Sequence, residues 1–257
     1  MLAKRSPGHL LLAIALLFGA AESASAERLD QSTTDIRTVL HFNANKDAVQ
    51  KLLPAGWVNT PGTGALKDAN ISIVFIESVA VENAEGKPVP SQNKFAVIVV
   101  PAKNEQAGVT APMVVGGFAS PSQNAPGAYG VYVPARITMA KSSRSSGPEA
   151  TAVEEAWDVS NDAGDQLRFS VSYERRVGTR AHIEPRVYSA AKPEFYRIYK
   201  VDQVSEVVHT VVDDVKRTGK VEFSGSGPHL SKVFDGTEQV VAVTSIPSYS
   251  RRIFLPD

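Results

Sequence analysis

The chain has 257 residues, with 27 basic and 27 acidic side chains, so its formal net charge at pH 7 is zero. A balanced charge gives no electrostatic basis for binding nucleic acid or an anionic membrane surface. The sequence contains no cysteine, which excludes disulfide bonds, thiolate chemistry and lipid attachment through a thiol.

The first 26 residues have the pattern of a secretory signal peptide. A basic start, MLAKRSPGH, precedes the apolar run LLLAIALLFGAA, and Ala24-Ser25-Ala26 forms a small-residue cleavage site. The apolar run is shorter than the ~20 residues that a membrane-spanning helix needs, and no later segment is long and apolar enough. We therefore expect an exported protein, periplasmic or secreted, with no transmembrane segment after signal removal.

Residues 27–257 are expected to form a single domain, and most of their apolar segments alternate with period 2. These segments are rich in Val, Ile, Phe and Tyr and are separated by turn signals, a pattern that predicts β-strands. The predicted strands are residues 35–42, 71–82, 94–102, 151–160, 166–176, 194–201, 206–212, 220–225 and 239–246. This number of strands predicts a mainly β fold with sheets around one core.

Helical signals are few. The segment NANKDAVQKLLPAGW, residues 43–57, predicts a helix that is capped by an asparagine and ended by Pro54 and Gly56. A second short helix is predicted at residues 228–234. Residues 103–130 are rich in Gly, Pro, Ala and Asn, which predicts an excursion over the surface. Hairpin turns are predicted at residues 83–88, 162–165 and 217–220.

Two charged residues fall on apolar strand faces. Glu77 shares its face with Ile71, Ile73, Phe75, Val79 and Val81. It is therefore a candidate pocket carboxylate, although the opposite face is also apolar and Glu77 could instead pair with an arginine. Arg175 continues the face of Leu167, Phe169, Val171 and Tyr173. It is either a ligand for a substrate carboxylate or a strand-end arginine whose head lies in water.

Other chemistry-bearing residues form no local motif. The histidines lack the short spacing of a metal site, and the serines after residue 141 lack the nucleophile-elbow pattern. The glycine-rich segments match neither the phosphate-binding loop nor the dinucleotide fingerprint. The histidines concerned are His41, His182, His209 and His229. These observations lead us to expect no cofactor and no metal.

Several segments follow one another in the order found in a known family. They are VLHFNANKDAVQKLLPAGW, the strand with Glu77, NAEGKPVP, KFAVIVVPA, NAPGAYGVYVPARITMAK, PEFYRIYKVDQVSEVVHTVVDD, KVEFSGSGPHLSKVF and IFLP. In this layout the chain resembles the acetoacetate decarboxylase superfamily. The resemblance implies a closed antiparallel β-cone or barrel with a few short helices, built around an apolar cavity. It also implies self-association into a homo-oligomer.

Decarboxylating members of that superfamily form a Schiff base between a cavity lysine and a β-keto acid. The apolar pocket and a neighbouring cation lower the pKa of that lysine. Where those members carry two adjacent lysines after an aromatic-proline stretch, this chain has ITMAKSSRSS. The resemblance implies Lys141, Glu77 and Glu85 as catalytic residues. Arg144, the cation nearest to Lys141 in the sequence, and Arg175 are candidate substrate-binding residues. Lys141 stands where a β segment enters a polar loop, so it is either a reactive amine at the edge of a pocket, with Arg144 as its charge partner, or a solvated loop residue.

Three functions fit these observations. The first is a carbon–carbon lyase that acts on a small organic acid or ketone through a lysine imine. The second is a non-catalytic protein that binds a small molecule on the same fold. The third is a structural or partner-binding module, which would apply if the cavity were filled by side chains such as Phe75, Phe169, Tyr173 or Trp157.

Overall fold

The computed structural model describes residues 27–89, 94–120, 125–145, 147, 151–215 and 217–256. The predicted signal peptide, residues 1–26, lies outside these ranges. The strands are β1 (Arg28–Asn43), β2 (Trp57–Asn59), β3 (Ile71–Asn83), β4 (Lys94–Asn104), β5 (Val109–Ala119), β6 (Tyr132–Pro134), β7 (Arg136–Ser145), β8 (Thr151–Ser160), β9 (Gln166–Arg175), β10 (Thr179–Ile183), β11 (Arg186–Ser189), β12 (Tyr196–Thr210), β13 (Arg217–Thr218), β14 (Lys220–Ser226) and β15 (Gln239–Leu255). The helical segments are α1 (Lys46–Gln50) and the 3-10 turns Gly64–Leu66 and Asp213–Val215.

Seven strands close a mixed β-barrel, in the order β4-β3-β1-β15-β12-β11-β5 with β5 pairing back onto β4. The predicted closed, mainly β architecture is therefore confirmed. The strands are not all antiparallel, however, because β5 runs parallel to both β11 and β6. Closure leaves these seven strands with one face toward the barrel interior and one face outward.

A second sheet packs against the outer wall of the barrel. It is antiparallel, with the order β14-β9-β8-β7. Its inward residues and the outward residues of the barrel share one large hydrophobic core. At the centre of this core the Phe75 ring lies 5.0 Å from Phe169 and 5.3 Å from Trp157, measured between ring centroids. The large aromatic side chains of this region thus fill the interface between the two sheets rather than the barrel interior.

The strand β5 corrects the prediction of a surface excursion at residues 103–130. Met113, Val114 and Phe118 are buried in it. Glycine hides the strand pattern because the wall leaves no room for a side chain at Gly117, where φ is +150° and a Cβ would lie 2.7 Å from the Ala96 carbonyl oxygen. A residue required by close backbone approach resembles a loop residue in the sequence.

Smaller predictions have mixed outcomes. The helix α1 is capped by the Asn45 side chain, which accepts bonds from Asp47 N and Ala48 N, but it ends at Gln50. The helix predicted at residues 228–234 is wrong, since this segment forms turns. Its Leu230, Val233 and Phe234 are nevertheless buried in the core. No helix in the described ranges is long and apolar enough to cross a membrane.

Candidate functional site

The barrel interior holds a cavity of about 350 Å³. All seven barrel strands contribute to its lining, and the segment 127–129 and Tyr132 also border it. Aliphatic and aromatic side chains form most of the wall: Val74, Ile76, Phe95, Val97, Val114 and Val187. A mostly apolar concave space of this size is the usual form of a small-molecule site.

Three arginines reach this cavity from adjacent strands: Arg37 on β1, Arg197 on β12 and Arg251 on β15. Arg37 donates to the buried Asp35 carboxylate at 2.6 Å, and Arg197 pairs with Asp30. Arg251 donates from Nε to Thr33 Oγ1 at 3.0 Å. Its Nη2 lies 3.8 Å from Asp35 Oδ2, which is the same oxygen that accepts the 2.6 Å hydrogen bond from Arg37.

The three guanidinium groups face only two carboxylates among the described residues around the cavity. One positive charge is therefore left without a dedicated counter-ion. Burial favours the neutral form of Arg251, but Tyr199 and Asp35 outweigh it, so the pKa of Arg251 lies above its ordinary value and the group stays charged. A buried charge without a full partner favours the binding of an anion.

Arg197 has a buried N–H donor that faces no acceptor among the described residues. This donor is Arg197 Nε. Buried polar nitrogens are normally bonded, so this donor is available to an oxygen atom that enters the barrel.

Four tyrosines accompany the arginines in the cavity lining: Tyr129, Tyr132, Tyr199 and Tyr249. The Tyr129 and Tyr199 hydroxyls are hydrogen-bonded to each other. The Arg37 guanidinium carbon lies 3.4 Å from the centroid of the Tyr249 ring, and that of Arg251 lies 4.4 Å from the Tyr199 ring. These contacts place both cations on aromatic faces, which stabilise positive charge.

The tyrosine hydroxyls of the cavity differ in the direction in which their pKa values are shifted. Burial raises the pKa values of Tyr129 and Tyr132. Burial also opposes ionisation of Tyr199, but Arg251, Arg197 and the hydrogen bond with Tyr129 outweigh it, so the pKa of Tyr199 lies below its ordinary value. Of the two hydrogen-bonded hydroxyls, Tyr199 is thus the one whose ionised form the neighbouring arginines favour.

A separate polar cluster surrounds His41 on β1. Its Nδ1 lies 2.9 Å from Ser72 Oγ and its Nε2 lies 3.1 Å from Thr244 Oγ1. Burial lowers the pKa of His41 to about 4, so the ring is neutral at pH 7. Neither His41 nor its two partners lines the arginine-containing cavity.

Lys141 lies outside the barrel. It sits on β7 of the second sheet, and the polar loop expected directly after it is a continuation of this strand to Ser145. The Lys141 ammonium group lies 2.8 Å from Glu155 Oε2, and Trp157 Nε1 donates to the other oxygen of this buried carboxylate at 2.7 Å. Arg144 is exposed and, three residues along the strand, projects from the opposite face. Arg144 is therefore not placed beside Lys141.

The structure does not bring the other predicted site residues together. Glu77 is half-buried on β3, and the residues of that strand lining the cavity are Val74, Ile76, Ser78 and Val81. Glu77 thus projects from the face turned away from the cavity, which corrects its expected orientation. Glu85 is exposed in the turn after β3, where its backbone N–H bonds to Asn83 Oδ1. Arg175 is half-buried at the end of β9, opposite Thr151 and outside the barrel.

Sequence analysis missed the arginines and tyrosines of the cavity. One signal for Arg37 was present, because Asp35 stands two residues earlier with the same strand parity. An acid and a base two residues apart on one strand face often pair with each other. No comparable signal exists for Arg251, which follows the polar residues SYS and precedes another arginine.

No family model and no curated protein matches this chain by sequence. Several solved structures match its fold, including those of two enzymes. One is MppR, an enduracididine biosynthesis enzyme complexed with the condensation product of pyruvate and imidazole 4-carboxaldehyde. This match has a TM-score of 0.53 and 11% sequence identity, and it covers 97% of this chain and 96% of the MppR chain. The other is an acetoacetate decarboxylase-like enzyme from Sphingomonas wittichii RW1, with a TM-score of 0.55, 14% identity, and coverage of 95% and 98%. The chain therefore has the acetoacetate decarboxylase-like fold.

Proposed function

We propose that this protein binds a small organic acid inside the seven-stranded barrel. The observation that carries the proposal is the uncompensated positive charge of the cavity, where three arginines face two carboxylates. A ligand carboxylate would lie against Arg251 and the free Nε of Arg197. Arginine recognises a carboxylate through parallel N–H donors, which gives both affinity and orientation.

The size and lining of the cavity narrow the ligand class. A volume of about 350 Å³ suits a molecule at the small end of the usual range for ligand sites. One surplus charge matches a monoanion, since a second carboxylate would be buried without a counter-ion. The valine and isoleucine side chains of the wall suit an alkyl or aromatic group on the same molecule.

The residues that line the cavity also argue against the alternative function, a lyase that acts through a lysine imine. None of the described residues that line the cavity is a lysine. Where the family resemblance implies two adjacent lysines, this chain has ITMAKSSRSS, and its single lysine, Lys141, lies on β7 of the second sheet. These observations favour binding without an imine, and catalysis through Lys141 would have to occur outside the barrel.

We further propose that the protein acts after export. The support is the succession of basic, apolar and Ala24-Ser25-Ala26 segments at the start of the sequence. In that compartment a binding protein would meet its organic acid as the free anion, because carboxylates of ordinary pKa are ionised at neutral pH.

Calorimetric titration of the purified protein with 2-oxobutyrate, butyrate and benzoate tests the proposal. The methyl ester of each acid is the matched control, since it keeps the carbon skeleton and removes the charge. We expect at least one acid to bind about 10-fold or more tightly than its ester, the size of a charge-assisted hydrogen bond. Equal affinity for acid and ester, or no binding by any acid, contradicts the proposal.

A further inference from the structure

We infer that Asp35 determines the charge of the ligand that the barrel accepts, and that it restricts the ligand to monoanions. Asp35 acts on the binding site of the proposed function, on which this inference rests. It is not among the described residues that line the cavity. It therefore acts on a ligand only through the arginines that do line it, as a positioning residue that sets specificity.

Asp35 lies behind the cavity wall as a fully buried carboxylate. Its Oδ2 accepts hydrogen bonds from Arg37 Nη2 at 2.6 Å and from Arg37 Nε at 3.2 Å. Its Oδ1 accepts a hydrogen bond from Ser78 Oγ at 3.1 Å. Charge-assisted bonds of this kind hold the guanidinium group in one orientation, so Asp35 fixes where the Arg37 charge lies.

Thr33 connects the same carboxylate to Arg251. The Thr33 hydroxyl donates to Asp35 Oδ2 at 3.3 Å and accepts from Arg251 Nε at 3.0 Å. Arg251 Nη2 lies 3.8 Å from Asp35 Oδ2. Among the described residues, neither Arg37 nor Arg251 forms an ion pair with any other carboxylate. One negative charge is thus shared by two guanidinium groups.

The backbone of β1 is irregular at Asp35. The pairing of β1 with β3 shifts register between Thr34 and Asp35, and its pairing with β15 shifts between Asp35 and Arg37. Register shifts of this kind redirect side chains and are frequent beside functional sites. The irregular backbone therefore coincides with the residue that joins the two arginines.

The charges around the cavity define the ligand class. Three arginines and two carboxylates, Asp30 and Asp35, leave one surplus positive charge. A monoanion neutralises this charge, whereas the second charge of a dianion would be buried without a counter-ion. Asp35→Asn nearly keeps the size of the side chain and removes one negative charge, so the surplus rises to two. The cavity of this variant should therefore prefer a dianion.

Calorimetric titration at pH 7 with succinate, monomethyl succinate and butyrate tests the inference. Succinate and its monomethyl ester share a carbon skeleton and differ by one charge, since carboxylates of ordinary pKa are ionised at this pH. The wild type should bind each monoanion about 10-fold or more tightly than succinate, and Asp35→Asn should reverse this order. Asp202→Asn is the matched control, because it removes the same charge from a partly exposed carboxylate that pairs with Arg180 outside the cavity. It should keep the wild-type order.

Variants of Arg37 provide a test that does not depend on the stability of Asp35→Asn. Arg37→Gln leaves no surplus charge, so monomethyl succinate should lose its advantage over the uncharged dimethyl ester. Combining Arg37→Gln with Asp35→Asn removes both partners of the buried pair, which costs less stability than removing one. The combination also restores one surplus charge, so the double variant should regain the wild-type preference for the monoanions.

The outcomes separate this inference from the proposed function. Binding of succinate by the wild type as tightly as the monoanions overturns the inference and leaves the proposed function standing. An unchanged order of affinities in a folded Asp35→Asn variant also overturns it, as does a double variant that binds the monoanions no better than Arg37→Gln. Absence of binding by any organic acid would overturn the proposed function, and the inference with it.

Discussion

Arg251 and Arg252 are consecutive in the chain but occupy opposite faces of the barrel wall. Arg251 lines the cavity, whereas Arg252 is exposed and contacts the Phe254 ring. This pair therefore offers a comparison in which the charge, the side-chain size and the strand are the same. Only the side of the wall differs.

We expect Arg251→Gln to weaken the binding of a small organic acid by about 10 to 100-fold, because it removes the guanidinium that lacks a dedicated counter-ion. Arg252→Gln should leave the affinity unchanged. Calorimetric titration of the two variants and the wild type with one acid measures the difference. Equal losses in both variants would show that the effect is one of overall charge rather than of the cavity.

Phe75 should be the side chain that most strongly joins the barrel to the second sheet. It is fully buried between Phe169 and Trp157. We expect Phe75→Ala to lower the free energy of unfolding by about 3–5 kcal/mol, the usual cost of removing a large core aromatic ring. Val79→Ala is the control on the same strand, since Val79 is 60% exposed. Chemical denaturation measures both, and similar small losses would contradict the prediction.

Much of the strand pattern could be predicted from the sequence, because β-branched and aromatic residues alternate with polar ones in most strands. The orientation of β3 could not. Ile71, Ile73 and Phe75 face the core between the sheets, while Val74 and Ile76 face the cavity, so both parities are apolar. Period-2 alternation fails wherever a strand is buried on two sides, and this is why Glu77 was assigned to the cavity.

The cavity itself depends on contacts between distant parts of the chain. Asp35 lies opposite Tyr249 and Thr33 opposite Arg251 in the β1–β15 pairing, more than 200 residues apart in sequence. Each of these residues alone is an ordinary strand position in the sequence. These residues come close enough to interact only when the barrel closes. No local pattern in the sequence predicts that closure.

His41 should make stability depend on pH. Burial lowers the pKa of His41 to about 4 in the folded protein, while in the unfolded chain it is about 6.5. Between these values the unfolded state binds the proton and the folded state does not. The free energy of unfolding should therefore fall as the pH drops from about 6.5 to about 4, by about 3 kcal/mol.

Urea denaturation across this pH range tests the assignment with two variants. His41→Gln should lose this part of the pH dependence, because glutamine does not titrate. His182→Gln should retain it, since His182 is exposed. If the stability of His41→Gln fell with pH as steeply as that of the wild type, another group would be responsible.

The proposed export predicts a specific N-terminus for the mature protein. The Ala24-Ser25-Ala26 pattern after the apolar run predicts cleavage that leaves Glu27 first. The Glu27 carboxylate lies 2.7 Å from Lys200 Nζ on β12, so the residue predicted to be first in the mature protein is ion-paired to the barrel wall. N-terminal sequencing of protein from the extracytoplasmic fraction checks this, and an intact Met1 in that fraction would exclude cleavage.

Variants of Lys141 distinguish a structural role of this residue from a covalent one. Its ammonium group is the counter-ion of Glu155, which is buried beside Trp157. We expect Lys141→Ala to lower the free energy of unfolding by about 2–3 kcal/mol, somewhat below the loss for a fully buried pair because Lys141 is partly exposed. Glu155→Gln combined with Lys141→Met should recover part of this loss, since neither charge is then left alone.

The same variants test the catalytic prediction for Lys141. An imine forms only from an amine that is free to attack a carbonyl carbon, whereas Lys141 Nζ is bound to the Glu155 carboxylate at 2.8 Å. Incubation with a β-keto acid, borohydride reduction and mass spectrometry should therefore find no adduct at Lys141 in the wild-type protein. An adduct at this residue, absent from a folded Lys141→Met variant, would establish the covalent role and move the reaction from the barrel to the second sheet.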